Sequence, residues 1–170
     1  MKQAQLDLLS TSSEETQQIG IRLGELAEAG DVFLLVGTLG AGKTCLTQGI
    51  TWGLGIDDYA LSPSFVIMRE LAGRLPLYHL DLFRLERSDE IEDLGLDDYL
   101  YGSGVCVVEW ADRGFALLPA ENLTIEIGFR DDTERLLRFK PHGKRYQGLL
   151  SELKRLPFGS GKNNKVCNLL

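Results

Sequence analysis

"DVFLLVGTLGAGKTCLTQGITWGLG", residues 31–55, decides the fold. It divides into three pieces. DVFLLVG (31–37) is a continuous apolar run ending in glycine, the pattern of a strand buried on both faces. KTCLTQGITWGLG (43–55) places Leu46, Ile50 and Leu54 at helical spacing and stops at Gly55. Between them, GTLGAGKT (37–44) satisfies G-x-x-x-x-G-K-[ST] through Gly37, Gly42, Lys43 and Thr44. A strand, a glycine loop and a helix in this order predict a phosphate cradle. The glycines let successive N–H groups point inward, and the helix start adds its own donors and the positive end of its dipole. Gly37, Leu39, Gly40, Ala41, Gly42, Lys43, Thr44 and Cys45 are therefore expected around the phosphates of a nucleotide. Lys43 would reach the β- and γ-phosphates and the Thr44 hydroxyl would meet Mg²⁺. The Cys45 side chain itself reads as a small packing group. A second GSGK at 159–162 is followed by Asn163 and preceded by no strand, so it reads as tail.

Upstream, STSSEETQQIGIRLGELAEAG reads as a helix. Ser12 and Glu15 fit a capping box, Ile19, Leu23 and Leu26 keep helical spacing, and Gly30 stops it. Downstream, SPSFVIMREL (62–71) is a turn followed by a strand, and LPLYHLDLFRL (75–85) is a second strand, with Gly73 between them as a hairpin. SDEIEDLGLDDYL (88–100) is an acidic helix broken at Gly95, with Ser88 as its N-cap. GVCVVEW (104–110) is another buried strand. NLTIEIGFR (122–130) and ERLLRFKP (134–141) alternate apolar and polar residues, a hairpin around Asp131 and Asp132. A short helix over 146–155 follows. These elements predict an α/β fold, a P-loop NTPase-like three-layer sandwich with a mixed, mainly parallel sheet. Residues 1–155 form one domain in this reading, and 156–170 a polar, flexible tail.

Composition narrows the function classes. Of 170 residues, 44% are hydrophobic and 25% charged, the balance of a globular domain. The net charge is −7, and the first 130 residues hold no Lys/Arg block, which argues against binding nucleic acid unaided. Cys45, Cys106 and Cys167 are widely spaced, without metal-binding intervals, as reduced cytosolic thiols would be. The N-terminus offers no signal-peptide core, and no stretch is long and apolar enough for a membrane helix. The expected location is the cytoplasm.

A Mg²⁺-nucleotide site needs a second anchor, an acid at the end of a buried strand. Asp81 and Glu109 both qualify. Glu109 follows the more apolar run, which favours it as the metal-proximal acid. Asp81 could hold a metal-bound water or polarise the attacking one. Ser62 and Ser64 in SPSF supply hydroxyls to a turn that could sense the γ-phosphate. Trp110 reads either as packing or as part of a switch. His79, inside an apolar strand, reads as a satisfied core residue. The nearest N-K-x-D match, Asn164 to Cys167, lacks the Asp, which disfavours guanine and leaves ATP. Ser10, Ser12 and Arg135 are candidate contacts on the adenine side.

GTLGAGKT, SPSF, YHLDLFRL, DLGLDDYL and VVEW, in this order and spacing, resemble the small bacterial TsaE (YjeE) family of tRNA threonylcarbamoyladenosine biosynthesis. The resemblance runs from the N-terminal helix to about residue 140. It implies an accessory ATPase in which Lys43 and Thr44 bind ATP and Mg²⁺, and Glu109 is the second Mg²⁺ contact. It implies that Asp81 is the acid of the family's HFDLYR-like segment, that residues 62–65 are one switch region, and that Glu109-Trp110 lie in the other. The family's usual SPTF and DLYR carry Ser64 and Phe83 here. Ser64 keeps a hydroxyl; Phe83 loses one, so no hydroxyl-dependent role carries over. The implied partners are TsaD and TsaB, with tRNA held indirectly through them.

Two other readings compete. A small-molecule kinase would need an arginine-rich lid, whereas Arg69, Arg74, Arg84 and Arg87 are spread along a hairpin and its exit. A GTP switch lacks its base motif. No arginine finger stands out among the motifs, so an accessory ATPase is expected to be slow alone, roughly 10⁻⁴–10⁻² s⁻¹.

Overall fold

The computed structural model describes residues 4–59 and 67–155. In chain order these form β1 (Leu6–Ser10), α1 (Ser13–Leu26), β2 (Val32–Val36), α2 (Lys43–Gly53), β3 (Met68–Leu71) and β4 (Leu77–Asp81). There follow α3 (Ser88–Asp93), α4 (Asp97–Leu100), β5 (Val105–Glu109), β6 (Asn122–Phe129), β7 (Arg135–His142) and α5 (Lys144–Arg155). One sheet takes the order β1-β7-β6-β2-β5-β4-β3. Its centre, β6-β2-β5-β4, is parallel, and its margins are antiparallel. The mixed α/β sandwich is thus as the sequence indicates.

The apolar run of β2 is continuous because both of its faces are covered. Phe33 and Leu35 pack with Leu46 and Ile50 of α2, Leu23 of α1 and Leu149 of α5. Val32 and Leu34 face the opposite layer, with Ile91, Leu96 and Leu100 from α3, α4 and the link between them. Strand β5 divides likewise, Val105 and Val107 to the first layer, Cys106 and Val108 to the second. Odd-numbered residues of β4 and β5 therefore look toward α2, which positions the site.

Helices α1 and α2 meet through glycines. A Cβ on Gly49 would overlap the Gln17 carbonyl oxygen and sit 2.8 Å from the Cα of Gly20; one on Gly53 would meet Ile21 and Gly24 in the same way. The seam holds α2 against α1 at backbone distance. Arg74, in the turn between β3 and β4, donates to the carbonyls of Gly24 and Ala27, both at 2.9 Å, and so caps the end of α1.

Three local readings are refined. Ser12 does cap α1, accepting the Glu15 N–H at 3.1 Å, but the Glu15 carboxylate reaches back to Thr11 N–H at 2.7 Å, one residue before the cap. Ser88 is not the N-cap of α3: it is the first helical residue, and Arg87 holds the cap position. There the Glu90 carboxylate accepts the N–H groups of Glu86 and Arg87, which holds its pKa below the usual range. Strand β1 was not expected; it adds to the sheet edge by pairing Leu6 with Phe139 through Ser10 with Arg135. The 156–170 tail lies outside the described residues. Among the described residues no helix is long and apolar enough to cross a membrane.

Candidate nucleotide site

The glycine loop leaves the C-terminal end of β2 and turns into α2. Gly37 must be glycine, since a Cβ there would stand 2.5 Å from the Ile127 carbonyl oxygen of the neighbouring strand. Gly40 and Gly42 take φ of +78° and +114°, the left-handed region that side chains disfavour. Gly42 is the residue immediately before α2, so the loop delivers the unpaired N–H groups of the first helical turn to its own concave side. Ala41 is buried beneath the loop, while Leu39 is largely exposed at its tip.

Lys43 opens the helix and folds back over the loop. Its Nζ donates to the carbonyls of Gly37 at 2.5 Å and Thr38 at 2.9 Å, and lies 4.0 Å from the centre of the Trp110 ring. Burial lowers the lysine pKa, and Glu109, Asp112 and Asp81 oppose that shift as nearby negative charges. Thr44 donates its hydroxyl to Glu109 Oε1 at 2.8 Å. The other oxygen of Glu109 lies 2.5 Å from His79 Nε2, and both residues are buried. Asp81 pairs with Glu109 across β4 and β5, and its Oδ1 accepts the Phe83 N–H at 2.9 Å.

Trp110, directly after Glu109, takes φ 57° and ψ 38°. A bulky residue in this region stores roughly 1–3 kcal/mol of backbone strain. Its ring packs on Phe83 at 4.8 Å, and the Arg113 guanidinium lies 5.7 Å from its centre.

The expected groups fall into distinct places. Gly37 to Thr44, Asp81, Glu109 and Trp110 gather at one end of the parallel strands. Cys45 turns away from the loop and donates its thiol to the Ser13 carbonyl at 3.3 Å. Ser10 is buried, bonded to the Ser12 carbonyl at 2.8 Å and to the Thr16 hydroxyl at 2.7 Å. Ser12 is occupied by its capping bond. Arg135 reaches the loop, with Nε 3.2 Å from the Ala41 carbonyl and its guanidinium stacked 4.0 Å from the Phe129 ring. Ser62 and Ser64 lie outside the described residues. Sequence reasoning missed Asp112 and Arg113, which follow the end of β5 as ordinary loop residues would, and Phe129, which is the last residue of β6. It also read His79 as satisfied, whereas its Nδ1 has no hydrogen-bond partner among the described residues.

The donor set suits a hard divalent cation. A hydroxyl and a carboxylate stand together beside the glycine loop. Among the described residues no cluster of three or more His, Cys, Asp or Glu side chains could hold a metal by itself. Mg²⁺ is commonly held in this way, by one or two protein oxygens, with substrate phosphates and water filling the remaining positions.

Comparison with known proteins gives one consistent answer. Residues 10–137 match the family profile described as threonylcarbamoyl adenosine biosynthesis protein TsaE. The chain is 47% identical to the tRNA threonylcarbamoyladenosine biosynthesis protein TsaE of Bacillus subtilis over 152 residues, covering 89% of this chain and 95% of that relative. It is 40% identical to the TsaE of Treponema pallidum over 127 residues, covering 75% and 94%. The crystal structure of YdiB from Bacillus subtilis superposes with a TM-score of 0.81 at 41% identity, covering 91% of this chain and 97% of that one.

Proposed function

The chain belongs to the TsaE family of tRNA threonylcarbamoyladenosine biosynthesis, and on that footing we propose that it is the pathway's ATP-hydrolysing accessory, acting on a complex of TsaD and TsaB. One observation carries the reading: the Thr44 hydroxyl and the Glu109 carboxylate meet at 2.8 Å beside the buried Lys43. Each has a part in holding Mg-ATP. Lys43 would exchange its two loop carbonyls for phosphate oxygens, a charge-assisted and stronger contact. Thr44 and Glu109 would hold Mg²⁺, which neutralises charge developing on the phosphates. Asp81, beside Glu109 at the strand end, would orient a water. The N–H groups of residues 39–45 would cradle the phosphates, and Arg135, with Ser10 and Ser12 behind it, would border the base. Ser62, Ser64 and Trp110 would report the state of the γ-phosphate.

The arginines argue against the kinase alternative. Arg74 is committed to the end of α1, Arg69 to Asp58 at 3.5 Å, and Arg87 to Asp89 at 3.0 Å. These three arginines are divided among separate partners, unlike the grouped arginines of a lid. The net charge of −7 suits a protein that leaves tRNA to its partners in the cytoplasm.

The test is ATP turnover by the chain alone, then with TsaD and TsaB, then with tRNA. Expected is slow hydrolysis alone, roughly 10⁻⁴–10⁻² s⁻¹, and a clear rise with the complex. Turnover above about 1 s⁻¹ alone, or phosphate appearing on an added small molecule, would replace this reading with a stand-alone hydrolase or a kinase.

A further inference from the structure

His79 is the one residue in β4 whose chemistry the surrounding core does not explain. It lies between Tyr78 and Leu80, fully buried, and opposite Val107 of β5 in the parallel register. A leucine would fill the same space without a buried ring nitrogen of its own to satisfy, yet here Nδ1 is buried without a partner among the described residues. Packing alone therefore does not account for the imidazole. Its Nε2, 2.5 Å from Glu109 Oε2, does. A carboxylate oxygen accepts, so Nε2 is the donor in this contact.

The geometry follows from the strand register. Asp81 stands opposite Glu109, so His79 sits one inward-facing position earlier on the same side of the sheet. It lies beneath the carboxylate, while Thr44 approaches from α2. The two oxygens of Glu109 are thereby held by different elements, Oε1 by the P-loop helix and Oε2 by β4. Without the imidazole, Oε2 would be buried with no donor and the carboxylate free to turn about its own axis.

We propose that His79 is a positioning residue for the metal-proximal carboxylate: its Nε2–H fixes the rotation of Glu109 so that Oε1 and the Thr44 hydroxyl form one divalent-cation site. This rests on the Mg²⁺-nucleotide reading of the site. Groups that orient metal ligands in this way commonly change metal affinity about ten- to a hundredfold when removed.

The experiment is calorimetric binding of ADP to the full chain across a Mg²⁺ series, with an EDTA control. His79→Leu should leave ADP affinity in EDTA unchanged and raise the Mg²⁺ midpoint about ten- to a hundredfold. His79→Gln, whose amide nitrogen can occupy the Nε2 position, should restore the wild-type midpoint; His79→Asn, which reaches only the Nδ1 position, should not. In the Glu109→Gln background, His79→Leu should cause no further shift. A wild-type midpoint in His79→Leu overturns the inference. So does equal impairment of the Gln and Asn variants, a comparison that decides the matter even where the leucine variant fails to fold. A wild-type chain whose ADP binding ignores Mg²⁺ overturns the functional reading itself, and this inference with it.

Discussion

Strand β2 has buried charge at both ends, and the two ends are built in opposite ways. Just before it, Asp31 is 3% exposed and receives Arg145 through Nε at 3.0 Å and Nη2 at 2.7 Å, with the Glu28 N–H at 2.8 Å. Just beyond it, Lys43 is 5% exposed and rests on two backbone carbonyls and the face of Trp110. Its nearby carboxylate, Glu109, is committed to Thr44 and His79. At the first end each charge is matched and the arrangement is closed. At the second, a cation and carboxylates share one field, and the lysine's direct contacts are uncharged. A matched pair fastens structure. A buried charge resting on neutral groups costs stability that nearby carboxylates offset only in part, and perturbed charges of this kind mark candidate sites.

Removing one charge from each end breaks the comparison most sharply. Arg145→Met should destabilise the chain by about 3 kcal/mol, because Asp31 would remain buried without its partner. The guanidinium keeps some contact with solvent, so the effect belongs at the low end of that class. Lys43→Met should leave stability unchanged or slightly raised, and should weaken nucleotide binding about a hundredfold, near 3 kcal/mol. Denaturant midpoints and nucleotide titrations on the same two variants decide this. Equal stability losses would mean that both ends are fastenings.

The two ends were not equally legible in sequence. The loop end is local: Gly37 to Thr44 declare themselves within eight residues, because one tight turn and one helix start fix their spacing. The cap on α1 was readable for the same reason. Asp31 and Arg145 are far apart in sequence, and no local pattern announces that α5 will return to the start of β2. His79 and Glu109 meet only through the β4–β5 register, so an apolar strand containing one histidine looked complete. Strand β1 carried a weak alternation, Leu6 and Leu8 inward with Asp7 and Leu9 between, but its partner β7 lies near the other end of the domain.

The flank of α2 provides an uncharged contrast to its N-terminus. Alanine favours a helix over glycine by about 1 kcal/mol, so propensity alone predicts that Gly49→Ala stabilises. The new methyl group would instead overlap the Gln17 carbonyl, and backbone cannot rotate away as a side chain can. Overpacking of this kind costs about 1–3 kcal/mol, and after the propensity gain of about 1 kcal/mol we expect a net loss near 1 kcal/mol in stability from denaturant unfolding. Nucleotide affinity of the folded fraction should be unchanged, since the methyl group faces α1 and not the loop. A stabilised Gly49→Ala variant would show that the helices stand further apart than the glycines imply.

The smallest effect appears only in alkali, and it tests whether the interior refuses charge where the loop end tolerates it. Burial pushes the Cys106 thiol from 9.0 up to about 12, and burial likewise pushes the Tyr146 phenol from 10.0 up to about 12. Both groups are raised acids. Above pH 9 the unfolded chain releases the thiol proton while the folded chain keeps it, so stability is intact below pH 9 and falls as pH rises toward 12. The slope approaches about 1.4 kcal/mol per pH unit only once the unfolded thiol is fully ionised, and at pH 9 it is about half ionised, so Cys106→Val should lose about 1 kcal/mol less than wild type between pH 9 and pH 10. Lys43 works in the other direction: its lowered value means that the folded chain releases that proton first, and stability rises as pH climbs to 10.5. That gain is common to both proteins and cancels in their difference. Chemical denaturation at pH 7.5, 9 and 10 isolates the thiol, and identical slopes for the two proteins would mean that Cys106 ionises freely inside the sheet.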